Sequence, residues 1–215
     1  GPQNRTNSHQ AQKGRFKSFH KISVFSFFFF ITPGEFVPLL DSSTKLGKMN
    51  STSRILTVEA IGTAKTTIEA FQKIAAAKAR FASRSDDSGT HKAERRFWQA
   101  ASTTPTDASG KWYLETGLGM GATLNFAVQA DAYALTDRAT WLTFKNKTAH
   151  IPLFQGDPAL FNQYGVVLVS QTHCPTIKAA EARIFVDWLL SPKGQNAIAT
   201  FQHENRPLFF PNATP

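Results

Sequence analysis

The sequence has few of the features that stabilise small secreted domains or anchor a chain in a membrane. Its 215 residues include a single cysteine, Cys174, so no disulfide can form within the chain. The longest apolar stretch, residues 22–31, is too short to cross a bilayer as a helix. These absences argue against a disulfide-stapled domain and against a helical membrane protein, and they favour a domain with an ordinary hydrophobic core.

Motifs for metal binding and hydrolysis are also absent. None of the six histidines pairs with another His or Cys at helical metal spacing, and the adjacent His173 and Cys174 are too close in sequence to chelate one ion together. There is no Gly-x-Ser-x-Gly nucleophile turn. His91 lies near Ser88, and the first turn of a helix explains this better than catalysis does. We therefore expect no enzymatic activity, no bound metal and no cofactor.

Positive charge is unevenly distributed along the chain. The formal net charge is +9, but residues 1–50 hold seven Lys/Arg against two acidic residues and so account for +5 of it. The remaining part is only mildly basic. Since nucleic-acid binding requires a concentrated basic surface, we expect no nucleic-acid partner for this part.

The first fifty-six residues differ in character from the rest. Residues 1–56 are predicted to be a basic, phenylalanine-rich leader that is partly disordered. Basic residues before a short apolar run resemble a secretory signal, although residues 32–34 lack a small-x-small cleavage pattern. Two interpretations stay open here, a secretory signal and a leader without a function of its own.

From about Thr57 onward, helical and strand patterns alternate. Predicted helices cover residues 66–79, 89–101, 117–130, 136–144 and 177–190, with a last helix starting at Ser191 and Pro192. Predicted strands cover residues 81–83, 112–114, 132–135, 151–154 and 164–170. The last strand is predicted to be buried on both faces, and the helix over 177–190 to be amphipathic through Ile184, Phe185 and Trp188. This alternation predicts an α/β fold with helices flanking a sheet.

Two of these helices begin in glycine-rich turns that carry hydroxyl groups and follow strands. A helix start offers free backbone N–H groups and the positive end of the helix dipole, so it is suited to bind an anion. Glycine lets the ligand approach the backbone, and an arginine adds a charged fork of donors. The candidate ligand-binding residues are Arg84, Ser88, Gly89, Thr90, Thr116, Gly119 and Gly121.

The chemistry of the loop at residues 83–91 favours a small oxyanion. Tungstate and molybdate are fully ionised at neutral pH, so their site should present donors only. Monohydrogen phosphate keeps a proton and profits from a carboxylate acceptor, and Asp86 and Asp87 keep phosphate open. The same loop has a plainer interpretation, in which Arg84 pairs with one of these carboxylates and Ser88 is an ordinary N-cap.

Several runs of this sequence resemble tungstate-binding proteins of ABC importers, the extracellular clamshell receptors. The matching runs are residues 81–91, 112–117, 119–123, 133–138, 156–157, 164–166 and 187–195. The first two are the most specific together, and the similarity covers about residues 58–212. The resemblance implies an extracellular or periplasmic protein.

The resemblance also implies a periplasmic-binding-protein-like fold of two lobes that clamp the anion between them. Arg84 and Thr90 match residues that hold the oxyanion, and Ser88 and Gly89 match helix-start positions beside it. Residues 57–82 and 136–215 would form the first lobe, and residues 83–135 the second.

Residues 1–56 do not resemble the family, so the first lobe is expected to be incomplete; the hydroxyl cluster at residues 51–53 is only a faint echo of the family pattern. We predict an oxyanion-binding component of an ABC importer that works with a permease. The alternative is a shortened binding-protein-like fold without a transport role, acting as a secreted or interaction protein. Self-association through the incomplete lobe is a further expectation.

Overall fold

The structure, a computed structural model, describes residues 16–20, 24–33 and 61–213. The chain divides into a larger unit of residues 27–161 and a smaller unit of residues 1–26 and 162–215. The faint hydroxyl echo at residues 51–53 and most of the predicted leader lie outside the described residues. The predicted lobe boundaries at 82/83 and 135/136 differ from the boundaries of these units and stay a prediction.

Helices and short strands alternate from residue 67 onward, and this confirms the predicted α/β fold. The helices are α1 (Thr67–Ala77), α2 (Gly89–Ala100), α3 (Met120–Ala130), α4 (Arg138–Thr143), α5 (Ala179–Leu190) and α6 (Pro192–Thr200). The strands are β1 (Phe16–His20), β2 (Val24–Pro33), β3 (Phe81–Ser83), β4 (Tyr113–Glu115), β5 (Tyr133–Asp137), β6 (His150–Phe154), β7 (Phe161–Gln163), β8 (Val166–Val169), β9 (Gln202–His203), β10 (Arg206–Pro207) and β11 (Phe210–Pro211). Short 3-10 helices cover Pro105–Ala108 and Pro158–Leu160.

The larger unit is built on a mixed sheet. β3 lies between β4 and β5 and is parallel to both. β5 is antiparallel to β2, which in turn pairs with β6. The parallel part of the sheet therefore brings the carboxyl ends of β3, β4 and β5 to one edge, where the loops into α2, α3 and α4 begin.

Helices cover both faces of this sheet. Successive residues of a strand point to opposite faces, and β3 shows this with Phe81 in one apolar cluster and Ala82 in the other. α1 and α2 contribute Phe71 and Trp98 to the first cluster, and α3 contributes Leu124 to the second. The central strands β3 and β5 are thus buried on both sides, as expected for strands covered by helices on both faces.

The start of α1 is fixed by local sequence. Thr66 is the N-cap, and its Oγ1 accepts a hydrogen bond from the backbone N–H of Glu69 at 3.1 Å. The Glu69 carboxylate accepts from the backbone N–H of Lys65 at 2.8 Å instead of reaching the N-cap residue itself. The Thr66–Glu69 pattern of a capping box is therefore present in its Thr66 half and displaced by one residue in its glutamate half.

The smaller unit is described by itself. β8 is antiparallel to β1, Phe210 of β11 lies opposite Phe25 of β2, and β9 pairs with β10. α6 begins as predicted, with Ser191 as N-cap accepting from the N–H of Gly194 at 3.2 Å.

Burial in the smaller unit differs from the sequence prediction. α5 forms over the predicted residues, but Val186 is its only buried residue, and Ile184, Phe185 and Trp188 are 69%, 56% and 40% exposed. Val169 of β8 is 47% exposed, so the prediction of a strand buried on both faces is wrong. The apolar pattern therefore predicts that a helix and a strand form here, but it does not predict which other part of the protein covers their apolar side chains.

Part of the predicted leader is strand. Residues 16–20 form β1 and residues 24–33 form β2, and the prediction of a separate, partly disordered leader over residues 1–56 stays a prediction. Aromatic residues favour strands when a partner strand is available, and β2 finds partners in β5 and β6. Among the described residues, no helix is long and apolar enough to cross a membrane.

Candidate functional site

The two predicted helix starts lie side by side at the carboxyl edge of the sheet. β3 and β4 are parallel neighbours, with Ser83 opposite Glu115. The backbone N–H of Thr116 donates to the carbonyl oxygen of Ser83 at 3.0 Å. Since α2 begins at Gly89 and α3 at Met120, the fold brings together the loops that were singled out separately in the sequence.

Thr116 joins these two loops. Its hydroxyl donates to the carbonyl of Ser83 at 2.9 Å, and its Oγ1 lies 3.0 Å from Oγ1 of Thr123. The backbone N–H of Leu118 donates to the same hydroxyl at 3.3 Å. The Thr116 side chain is therefore occupied within the protein, which makes it a brace for the site; its predicted contact with a ligand stays a prediction.

Arg84 is held by Asp86. Its Nε donates to Oδ2 of Asp86 at 3.1 Å, and its Nη2 donates to the same oxygen. Both side chains are largely buried, with 17% and 20% of their surfaces exposed. The ion pair predicted by the plainer interpretation is therefore present. A guanidinium has five N–H donors, so Arg84 keeps the donors on Nη1 for another acceptor.

Ser88 also binds Asp86. Its backbone N–H donates to Oδ1 at 3.2 Å, and its Oγ accepts from the N–H of His91 at 3.3 Å as the N-cap of α2. Burial alone would raise the pKa of Asp86, but the hydrogen bonds from Ser88 and Arg84 outweigh it and lower the pKa to about 2. Asp86 is thus ionised at neutral pH, and both of its carboxylate oxygens accept hydrogen bonds from the protein.

The backbone donors that follow Ser88 are not used. Within residues 61–213, no acceptor takes up the N–H groups of Gly89 and Thr90 or the hydroxyl of Thr90. At the second helix start, Gly119 is the N-cap without a side-chain cap, and the N–H groups of Met120 and Gly121 have no acceptor in the same range. The edge therefore presents a set of donors from two helices.

Space is open at the glycines of both helix starts. A Cβ placed on Gly89, Gly119 or Gly121 would meet nothing within 4 Å. Packing within the protein therefore does not require glycine at these positions. Gly117 differs, because its φ of +66° lies in the left-handed region that other residues rarely adopt.

The start of α1 provides a contrast within the same unit. Asp157 accepts from the backbone N–H and the hydroxyl of Thr67 at 2.6 and 2.7 Å, and from the N–H of Ala159 at 2.8 Å. Burial opposes ionisation, but these hydrogen bonds prevail and lower the pKa of Asp157. This helix start is filled by a carboxylate of the protein, whereas the starts of α2 and α3 are not.

A cavity of about 910 Å³ lies beside the loop that contains Arg84. It is lined by Ser85, His91 and Glu115, with Arg95 and Arg96 on the exposed side of α2. The predicted ligand-binding residues do not line this cavity. Burial and the charge of Arg95 lower the pKa of His91, whose Nδ1 accepts from the N–H of Asp87 at 3.0 Å. Across the part of the chain that the structure describes, no three His, Cys, Asp or Glu side chains are grouped to hold a metal ion.

Sequence reasoning missed one group behind the site. Glu94 of α2 is 1% exposed and forms hydrogen bonds with Ser83, Tyr113 and Trp98. Burial raises its pKa to about 7, although these hydrogen bonds oppose the shift. A signal was present, since Glu94 falls on the inward stripe of α2, four residues after Thr90 and three before Phe97.

Solved structures resemble this fold. The tungstate-binding protein TupA from Desulfovibrio alaskensis G20 is 30% identical and superposes with a TM-score of 0.69 over 96% of this chain and 76% of that chain. Among curated proteins, the tungstate-binding protein TupA of Peptoclostridium acidaminophilum is 40% identical over 68% of this chain and 51% of its own length. The putative ABC transporter anion-binding protein of Haloferax volcanii is 43% identical over 67% of this chain and 43% of its own length.

The chain thus spans about half the length of these curated relatives. The relatives are named as binding proteins, in agreement with the prediction of a protein that is not an enzyme. The sequence profile of the PBP superfamily domain matches residues 13–193 and so includes β1 and β2, which the sequence resemblance did not cover. On this match, and on the similarity to tungstate-binding proteins in sequence and fold, the chain belongs to the PBP superfamily.

Proposed function

We propose that this protein binds a tetrahedral oxyanion, tungstate or molybdate, as the substrate-binding component of an ABC importer. The observation that carries the proposal is the pair of adjacent helix starts, where unused backbone donors from α2 and α3 accompany the guanidinium of Arg84. The names of the relatives support the same ligand class. No cofactor is needed for this function.

The state of the carboxylates favours a fully ionised anion over phosphate. The acceptors of Asp86 are occupied by Arg84 and Ser88. Asp87 is 75% exposed and pairs with Lys92. Each carboxylate is thus already paired with a cation of the protein, which makes it a poorer acceptor for the proton of monohydrogen phosphate, and a site rich in donors fits tungstate and molybdate better.

Thermal unfolding with a panel of anions tests the proposal. Tungstate or molybdate at about 100 times its Kd should stabilise the folded chain by about 2.7 kcal/mol, because only the folded state binds it. This corresponds to a rise in Tm of roughly 5–10 °C. Sulfate and phosphate at the same concentration should raise Tm less, with sodium chloride of equal ionic strength as the control. An unchanged Tm with all four oxyanions would favour the shortened fold without a transport role.

Gly121→Ala should separate binding from stability. The new Cβ meets no protein atom within 4 Å, and alanine is the better helix former by about 0.5–1 kcal/mol. The Tm of the free protein should therefore stay equal or rise. A methyl group in the space that the anion occupies should weaken tungstate binding about tenfold, as measured by calorimetric titration.

Gln129→Ala, an exposed change later in the same helix, is the matched control for Gly121→Ala. It should leave the Kd for tungstate unchanged. If Gly121→Ala binds tungstate as tightly as the wild type does, the anion does not lie at the start of α3.

The proposed partners are the anion and an ABC permease, and the proposed location is extracellular or periplasmic. The smaller unit exposes an apolar surface on α5 and at the end of α6, with Phe185 56% and Phe201 59% exposed. The expected self-association through the first lobe would bury such a surface, and it stays a prediction. Sedimentation of the full chain at micromolar concentration, with Phe185→Ser as the comparison, measures it directly.

A further inference from the structure

A buried carboxyl group lies directly behind the loop that contains Arg84. Glu94 is 1% exposed, and among residues 61–213 no Lys, Arg or His forms an ion pair with it. Its neighbours are hydrogen-bonding groups instead. Ser83 Oγ lies 2.9 Å from Oε2, while Tyr113 Oη and Trp98 Nε1 lie 2.8 and 3.1 Å from Oε1. A buried carboxylate without a cation is costly, so its protonation state must follow from these contacts.

The number of protons in the hydrogen-bond network distinguishes the charged from the neutral form of Glu94. Ser83, Tyr113 and Glu94 form a closed ring, because Tyr113 Oη also lies 3.0 Å from Ser83 Oγ. Each of the three oxygen–oxygen contacts in this ring needs one proton. The two hydroxyl groups supply two protons, so an ionised Glu94 leaves one contact between two bare acceptors. A neutral Glu94 supplies the third proton.

The neutral form satisfies every group in the ring. Oε2–H of Glu94 donates to Ser83, the Ser83 hydroxyl donates to Tyr113, and the Tyr113 hydroxyl donates to Oε1. Oε1 then accepts from Tyr113 and from Trp98 Nε1 with its two lone pairs. The same pattern accepts a glutamine at position 94 with its amide NH₂ facing Ser83.

The ring is coupled to the proposed anion site through β3, which carries Ser83, and through α2, which carries Glu94. Ser83 Oγ also accepts a hydrogen bond from the backbone N–H of Ser85 at 3.2 Å, and this bond spans Arg84 in the loop. Ser85 has a φ of +46°, so this hydrogen bond holds the loop in a left-handed conformation. Glu94 itself lies on α2, whose first turn carries the free donors of Gly89 and Thr90. A negative charge on Glu94 would thus change both the hydrogen bonds that hold the loop and the electrostatic potential at the start of α2.

Few other ionisable groups face Glu94. β4 contributes Tyr113 and the exposed Glu115, and β5 contributes Tyr133 to the same core. α1 and β3 pack against this region through uncharged side chains such as Phe71. Burial raises the pKa of Glu94 to about 7 against the opposing hydrogen bonds, and repulsion from Glu115 acts in the same direction as burial.

We propose that Glu94 is a positioning residue whose neutral acid form binds the oxyanion more tightly than its ionised form, so that the protein takes up a proton when it binds its anion. This inference rests on the proposed oxyanion-binding function. A dianion at the starts of α2 and α3 and a carboxylate behind Ser83 repel each other, and binding therefore favours the protonated form. By linkage, affinity is highest at low pH and declines as Glu94 ionises.

Calorimetric titration of the full chain with tungstate from pH 6 to pH 8.5 tests this. The wild-type Kd should rise by about tenfold over this range, which corresponds to a change of about one unit in the pKa of Glu94 on binding. Glu94→Gln, which imitates the neutral acid, should bind with the affinity of wild type at pH 6 and show a flat profile. His91→Gln is the matched control: it removes the other titrating group near the site, and it should keep the slope above pH 6.5.

Proton uptake provides a second readout that needs no variant. Titrations at pH 7.5 in two buffers with different ionisation enthalpies should show a fraction of a proton taken up per tungstate bound. Wild-type affinity that is flat with pH, an unchanged slope in Glu94→Gln, or binding without proton uptake would overturn the role of Glu94 alone. Absence of tungstate binding at every pH would overturn the proposed function and this inference with it.

Discussion

The Arg84→Ala variant is expected to bind tungstate about 100-fold more weakly than the wild-type protein. Loss of a largely buried, charge-assisted donor costs about 3 kcal/mol, and each 1.4 kcal/mol is a factor of ten in Kd. The variant also leaves Asp86 without its cation, so the carboxylate that Arg84 now neutralises would repel the anion. Calorimetric titration at pH 7 measures the change.

Two further variants define what Arg84 contributes. Arg84→Lys keeps the positive charge but loses the planar fork, so it should recover only part of the affinity. Arg96→Ala removes an exposed charge from α2 and should change Kd by less than about threefold, because solvent screens exposed charges. A Kd for Arg84→Ala within threefold of wild type, or equal losses in Arg84→Ala and Arg96→Ala, would contradict the proposed site.

The Phe71→Ala variant is expected to lower the free energy of unfolding by about 3–5 kcal/mol. Phe71 is fully buried, and its ring centroid lies 4.4 Å from that of Trp98, 5.4 Å from that of Phe97 and 5.8 Å from that of Phe81. The cavity left by the ring would lie between α1, α2 and β3 and cannot close without moving all three. Such a loss is a large share of the 5–15 kcal/mol typical of a domain.

Phe126→Ala is the matched control for this loss of stability. Phe126 lies on α3 and is 36% exposed, so the same chemical change should cost less than about 1 kcal/mol. Urea unfolding followed by circular dichroism compares the two variants with wild type. If Phe126→Ala lost as much stability as Phe71→Ala, burial in the aromatic cluster would not be what stabilises the larger unit.

Much of the larger unit could be predicted from sequence because its signals are local. The strand β3 has the predicted limits, Ser88 and Asp137 are N-caps, and α3 follows the glycine-rich turn as expected. Caps and turns depend on residues within a few positions of one another, and so the sequence carries them directly.

The residues of the candidate site could be predicted from the sequence, but the hydrogen-bond partners of these residues could be predicted only in part. The motif identified Arg84 and both helix starts, and the structure places them side by side. The sequence left two partners open for Arg84, and it did not reveal that the Thr116 side chain is occupied by other groups of the protein, in addition to Ser88 at the N-cap. Which of several nearby acceptors a donor reaches is decided by angles and distances that only the folded loop defines.

Glu94 shows what periodicity alone does not provide. Helical spacing places Glu94 on the buried face of α2, but the flexible side chain of a glutamate at this position could equally extend to solvent. Ser83 and Tyr113, eleven residues before it and nineteen after it, supply the hydrogen bonds that allow burial. Contacts between residues so far apart in sequence arise only when β3 and β4 pair beneath α2.

The sequence by itself therefore determined the order of helices and strands over residues 66–154, the helix caps and the loop around Arg84 that we propose binds the anion, because each depends on short-range backbone and side-chain preferences. Only the tertiary structure decided that the two helix starts meet, that Asp86 holds Arg84, that Glu94 lies in a closed ring of hydrogen bonds, and that the apolar side of α5 is exposed. These depend on which surfaces pack against each other, and packing is a property of the whole fold.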